Sequence, residues 1–226
     1  MTCLTFDIDG TIFDCSDIIV DAFQKGISLF NENTGIKVQM PSKEKIISVL
    51  GIPTDSIFQN LFPDLNAQGQ QTMNDLCINI LADMISQGAG TLYDHVFSTL
   101  ECLYKEGYSI YSASNGKIKY IQSVLDSKGL AKFFQSPIMV INSEIKSKSE
   151  IVKYYKNTLC KNDLMIMIGD RTSDRLAAEE NNIPFIGCAF GHAGFSELEG
   201  VRWTTTDFKK IYNLVKEIEE TYRPLK

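Results

Sequence analysis

From residue 92 onward, short apolar runs alternate with stretches of helical period, and few folds accept that alternation. Strand patterns fall at 108–113, 137–141, 164–168, 185–189 and 202–204, with helical patterns at 96–105, 117–128, 150–159, 174–181 and 208–222. Strands separated by helices pair in parallel, and a parallel sheet needs helices on both faces. The expected class is therefore α/β, with a Rossmann-like parallel sheet. One more strand belongs to it, the apolar run from Leu4 to Phe6. Between residues 16 and 88 there is no strand pattern, only four helical ones. The first starts at Ser16, read as its cap, and carries Ile19, Phe23, Ile27 and Phe30 on one face. The second covers 42 to about 50, and the third starts at 54 and ends before Pro63. The fourth carries Met73, Leu76, Cys77, Ile80, Leu81, Met84 and Ile85 at helical spacing. This block reads as an all-helical cap, 16–88, inserted into a core made of 1–15 and 89–226. Gly88 and Gly90, at one crossing, are read as a hinge.

The strand ends carry the polar residues that matter. In a parallel sheet, ligands bind outside the carboxyl ends of the strands. Asp7 and Asp9 follow the first strand there, and two adjacent carboxylates repel each other unless a cation joins them. An Asp-Gly hairpin turn is the alternative, but the stretch after Gly10 is helical rather than β-rich. The strand at 108–113 runs into Ser114, Asn115 and Gly116 before a helix, where a hydroxyl and turn N–H groups suit an anion. The same pattern also serves as an ordinary capped turn. Lys146 and Lys148 both stand near the next helix start. A capping box of Ser147 and Glu150 puts Lys148 in the first turn, where a cation opposes the helix dipole unless an anion is near. The choice between the two lysines stays open. Finally, the strand at 164–168 ends in GDRTSD, so Asp170 emerges at its tip and Asp174 lies one turn later on the same face.

Taken together, DIDGTIFD at 7–14, Ser114, Lys148 and GDRTSD at 169–174 resemble the motifs of the haloacid dehalogenase-like superfamily of phosphohydrolases, whose first motif is DxDGTxxD. The branch resembled is the one with a helical cap after that motif, typified by phosphoglycolate phosphatases. The likeness covers most of the chain, including the turn 190–194. It departs at Ser149, where many relatives have Pro after the lysine. The resemblance implies Mg²⁺ held by the side chains of Asp7 and Asp170 and by the backbone carbonyl of Asp9, with Asp174 orienting that shell. It implies Asp7 as nucleophile, forming an aspartyl-phosphate, and Asp9 as acid and base. Ser114, Asn115 and Lys148 would hold the phosphate, and the cap loop 51–57, with Gly51, Ile52 and Ser56, would select the substrate. Asp9 separates this pattern from relatives that displace halide or cleave phosphonates. Sugar phosphomutases of the superfamily usually have a His soon after the first motif and a basic cap loop; 16–23 has no His, and 50–56 no Lys or Arg. Hydrolysis of a small-molecule phosphomonoester is the expected function. A mutase-type phosphotransferase and a silent binding protein are the alternatives, and phosphoglycolate, nucleoside monophosphates and sugar phosphates all stay open as substrates.

Composition narrows the partners. A net charge of −6 with four arginines argues against nucleic acid, whose phosphates select basic surfaces. The six cysteines, 3, 15, 77, 102, 160 and 188, form no metal-ligand spacing, and several sit in apolar stretches. They read as buried free thiols suited to a reducing compartment. No apolar run reaches membrane-spanning length, and the start lacks a basic segment followed by an apolar one. The expectation is a cytoplasmic protein with neither membrane nor nucleic-acid partner and an open oligomeric state. His95 and His192 read as structural.

Overall fold

The structure, a computed structural model, describes residues 1–142 and 144–222. β1 (Thr2–Phe6) is buried along its whole length, as a strand covered on both faces must be. It pairs in parallel with β4 (Ser109–Ser114) on one side and β6 (Leu164–Gly169) on the other. The full order is β5 (Met139–Val140), β4, β1, β6, β7 (Phe185–Cys188), β8 (Trp203–Thr205), with every pair parallel. The sheet thus grows to one side of β1 and then returns across it. That reversal makes the carboxyl end of β1 the switch point where a crevice opens.

Side chains alternate across each strand, and two cores result. Leu4, Phe6, Ile166 and Ile168 face one layer with Leu100 of α5 (Val96–Lys105), Val124 of α6 (Ile118–Ser127) and Val215 of α9 (Ile211–Tyr222). Cys3, Met165 and Met167 face the other, with Ile151 of α7 (Lys148–Tyr154) and Ala178 of α8 (Thr172–Glu180). α7 continues into a π turn (Tyr155–Leu159). There the Tyr155 hydroxyl donates to Ser112 O at 3.0 Å and accepts from Met139 N at 3.0 Å.

Residues 16–86 hold α1 (Ser16–Thr34), α2 (Lys43–Ser48), α3 (Thr54–Leu61) and α4 (Ala67–Ser86), and no strand. α1 and α4 approach closely, and the rings of Phe23 and Phe58 stack 5.4 Å apart. Ser16 is the first helical residue rather than the cap; its N–H is taken by Asp14 Oδ1 at 2.8 Å. The strand expected at 137–141 shrinks to two residues, and the helix expected at 42–50 to six.

A ribbon of β2 (Phe13–Asp14) and β3 (Thr91–Leu92) joins the two crossings, antiparallel, and no sequence pattern announced it. Two residues are too few to show a period, and the partners meet only because both crossings leave the same place. Gly90 has φ 73°, and a Cβ there would lie 2.2 Å from the Phe13 ring. Gly88 also has positive φ, 98°. Lys128 Nζ donates to the carbonyls of Gly88 at 2.7 Å and Gly90 at 2.8 Å, so this segment is tied to the core.

The cysteine reading needs correction. Cys3 and Cys160 form a disulfide, while Cys15, Cys77, Cys102 and Cys188 are free and Cys102 is exposed. The pair is 157 residues apart in sequence, and only the pairing of β1 beside β6 brings it together. Among the described residues no helix is long and apolar enough to cross a membrane.

Candidate active site

Three parallel strands deliver the site. Asp7 follows β1, Ser114 ends β4, and Asp170 follows β6, so register alone sets them at one edge of the sheet. Asp7, Asp170 and Asp174 are buried, and each offers a carboxylate oxygen within 4.8 Å of the others. Lys148, only 3% exposed, reaches into this group from the first turn of α7. Its Nζ lies 2.9 Å from Asp7 Oδ1 and 2.5 Å from Asp174 Oδ1. Of the two candidate lysines, 148 is therefore the one in the cluster, and Lys146 is exposed. Ser147 caps α7 by accepting from Glu150 N at 3.2 Å, while the Glu150 carboxylate takes the N–H of Lys146 at 2.6 Å.

The electrostatics stem from this crowding. Burial lifts the Asp7 carboxyl well above its ordinary range; Lys148 opposes the shift, and Asp174 and Asp170 add to it. Burial and then Asp174 push Asp170 up to about 7. Burial works against the Lys148 charge, yet Asp174 and Asp7 more than offset it and hold its pKa above the usual lysine range. Asp170 receives Ala193 N at 3.4 Å and the Thr11 hydroxyl at 3.3 Å. A Cβ on Gly191 would lie 2.2 Å from Gly10 O and 2.4 Å from Asp170 Cβ, so the turn 190–194 packs against this carboxylate without room for a side chain.

Asp9 is oriented differently. Its Oδ1 accepts from the Tyr120 hydroxyl and lies 3.8 Å from the Cys15 thiol. Burial raises its pKa, and the Tyr120 hydrogen bond works the other way. The side-chain cluster therefore contains Asp174 and not Asp9, and any part Asp9 takes in holding a cation falls to its main chain. The donor set is all oxygen, which suits a hard divalent cation such as Mg²⁺. Asp7 Oδ2, buried without a hydrogen-bond partner, supports the fit.

Above the carboxylates lies a cavity of about 40 Å³. The core lines it with Asp7, Asp9, Ser114, Asn115 and Tyr120, and the inserted helices cover it with Leu50, Gly51, Ile52, Thr54 and Ile57 among others. Ser56 is absent from this lining. Once α3 starts at Thr54, positions 54, 57 and 58 share the inward face, and 56 falls outside it. Asn115 Nδ2 donates to Gly51 O at 2.8 Å, and Thr54 Oγ1 donates to Asn115 O at 3.0 Å. Ser114 Oγ accepts from Gly116 N at 3.1 Å. Arg171 reaches across from GDRTSD: one terminal nitrogen donates to Leu50 O, and Nη1 meets Glu197 Oε1 at 2.7 Å.

Tyr120, Arg171 and Glu197 had no role assigned from the sequence, and Thr54 was read only as part of the loop 51–57. Tyr120 sits in the helix after Ser114, and nothing in its spacing says which face meets Asp9. Arg171 lay inside a recognised motif, and its cap contact depends on how the helices seat. His95 precedes α5 with φ 66° and does not line the cavity. His192 is half-buried with Nε2 unpartnered, and burial lowers its pKa while the Asp9 charge opposes that.

A parallel α/β sheet, an inserted helical cover and a buried acid–lysine cluster at the switch point define a class of hydrolases with a carboxylate centre. The chain matches the haloacid dehalogenase-like hydrolases over residues 4–188, and it belongs to that family. Within the family it is of the phosphatase type. It is 23% identical over 205 residues to a phosphoglycolate phosphatase of Vibrio parahaemolyticus, covering 84% of each chain. To pyrophosphatase PpaX of Listeria innocua it is 25% identical over 196 residues, covering 86% of each. In fold it is similar to the crystal structure of a predicted phosphatase from Clostridium acetobutylicum, with a TM-score of 0.79 and 22% identity over 96% of this chain and 98% of that one.

Proposed function

We propose that the protein hydrolyses a small-molecule phosphomonoester, with Mg²⁺ bound and Asp7 as nucleophile. One observation carries this reading: Asp7 stands buried at the switch point with Oδ1 held by Lys148 and Oδ2 unpartnered. An Asp7 oxygen attacks phosphorus, and the bond from phosphorus to the substrate's alcohol oxygen breaks. Asp9, whose carboxylate is steered by Tyr120, gives that oxygen its proton. Asp9 then takes a proton from water, which attacks the aspartyl-phosphate and frees Asp7 and phosphate. Lys148 and Ser114 stabilise the transferring oxygens as charge develops, and Asn115 holds the cap loop through Gly51. Asp7, Asp170 and Asp174 would hold the cation, which screens phosphate charge from the anionic nucleophile when bound. Residues 16–88 act as a cap over the core of 1–15 and 89–226. Lifting it admits substrate, because 40 Å³ is far below the roughly 300 Å³ or more of ordinary ligand clefts.

The test is p-nitrophenyl phosphate hydrolysis by the purified protein, with Mg²⁺ and with excess chelator. Turnover is expected only with metal, and equal rates in both would refute the cation's role. Acid quenching during turnover should trap phosphate on Asp7; its absence, or full activity of Asp7→Asn, would overturn the nucleophile.

A further inference from the structure

The phosphoglycolate phosphatase and the pyrophosphatase act, by their names, on substrates that carry a second anion beside the phosphoryl group attacked. Among the described residues, the cap side of the cavity here offers such an anion no counter-charge. Its cap side is built from Ile19, Phe23, Ile46, Ile57, Phe58 and Leu81, and none of the inserted helices places a Lys, Arg or His in the lining. The cation in the lining is Lys117, on the core side, and its Nζ is paired with Asp55 Oδ1 at 2.9 Å where its side chain is 37% exposed. Arg171 and His192 lie outside the lining, and Lys148 is committed to Asp7 and Asp174.

Beyond Asp7 and Ser114 at the phosphoryl position, the polar side chains that line the cavity are already engaged. Asn115 Nδ2 serves Gly51, the Thr54 hydroxyl serves Asn115 O, and Tyr120 and Cys15 both point at Asp9. A carboxylate or second phosphate set against the stacked Phe23 and Phe58 would lose its water without gaining a counter-charge, and it would face the Asp9 carboxylate. An alkyl or aryl group in the same place would instead be dried by apolar neighbours, which is favourable.

Resting on the hydrolytic reading, we propose that the leaving group is uncharged and apolar, so the substrate is the phosphomonoester of a small apolar alcohol. The discriminating pair is n-propyl phosphate against phosphoglycolate, since both are short and the glycolate hydroxyl is intrinsically the better leaving group. A kcat/KM at least tenfold higher for n-propyl phosphate is expected, with phenyl phosphate also above phosphoglycolate and pyrophosphate. Equal or better use of phosphoglycolate or pyrophosphate, with p-nitrophenyl phosphate cleaved normally, overturns this inference and leaves the hydrolytic reading standing. No cleavage of any of them, p-nitrophenyl phosphate included, removes both. Ile52→Arg adds a cation to the cap side, and its ratio of phosphoglycolate to n-propyl phosphate kcat/KM should rise at least tenfold over wild type. An active variant with an unchanged ratio counts against the apolar subsite. Should the variant fail to fold, the wild-type ranking decides alone.

Discussion

The two walls of one cavity obey opposite rules. The core wall is polar and carries Asp7 and Asp9, with Asp7 joined to a buried charge cluster of Asp170, Asp174 and Lys148. The cap wall is made mostly of aliphatic and aromatic side chains, with the Thr54 hydroxyl turned to Asn115 O and no charge among them. Burying ions is costly unless each finds a partner, whereas burying apolar groups is favourable in itself. The core wall therefore carries a stability penalty for the sake of chemistry, and the cap wall stabilises the fold while shaping what enters. Substitutions on the two sides should separate activity from stability.

The sharpest break comes from Asp7→Asn. Turnover of p-nitrophenyl phosphate should fall on the order of 10³-fold or more, as removal of a nucleophile does. In chelator the same variant should unfold at a higher temperature than wild type. The sign is set by the raised pKa of Asp7: the folded protein disfavours the ionised form, so that carboxylate destabilises wherever the unfolded chain would be ionised. The gain should be present at pH 8 and absent near pH 4, around the unfolded carboxyl value of about 3.9. A variant less stable than wild type at pH 8 would mean that the core wall carries no such penalty.

Phe58→Ala tests the other wall. Phe58 is 1% exposed, and truncating a buried Phe costs about 3–5 kcal/mol. Chemical denaturation should show that loss at every pH from 5 to 8. A stability loss that tracked pH would contradict the uncharged character of this wall.

Gly191→Ala comes next. Its Cβ would press on Gly10 O and Asp170, so Asp170 must shift. Metal affinity and activity should fall about 10–100-fold, the range seen when groups supporting a metal ligand are disturbed. Titrating activity against Mg²⁺ would show it as a raised half-saturation, whereas an unchanged curve would exclude Asp170 as a ligand. Arg171→Met should have the smallest effect. It removes the link from GDRTSD to Leu50 O, loosening the cap while leaving the carboxylates in place. A rise in KM of a few-fold with kcat nearly kept is expected, and a large fall in kcat would place Arg171 nearer the chemistry.

Why some of this was legible in the sequence, and some not, comes down to reach. Asp7, Ser114 and Asp170 could be read because each ends a strand, and parallel strands bring their carboxyl ends to one edge by construction. The strandless stretch 16–88 likewise declared its helices, since amphipathic period is local. The choice of Lys148 over Lys146 needed the helix to be seen in place. So did the loss of Ser56 from the lining: α3 begins at Thr54 as read, but which of its faces turns inward is set by how the helix packs.

The sequence by itself determined the α/β class, the helical insertion and the acidic strand ends, all of which arise from short-range period and from the geometry of a parallel sheet. Only the tertiary structure decided the Cys3–Cys160 bond, the ribbon of β2 with β3, the turn of Asp9 toward Tyr120, and the reach of Arg171 to the cap. Each of these joins residues far apart in the chain through side-chain directions or two-residue contacts. Such contacts leave no period in a sequence, and they exist only once the sheet and the inserted helices have packed.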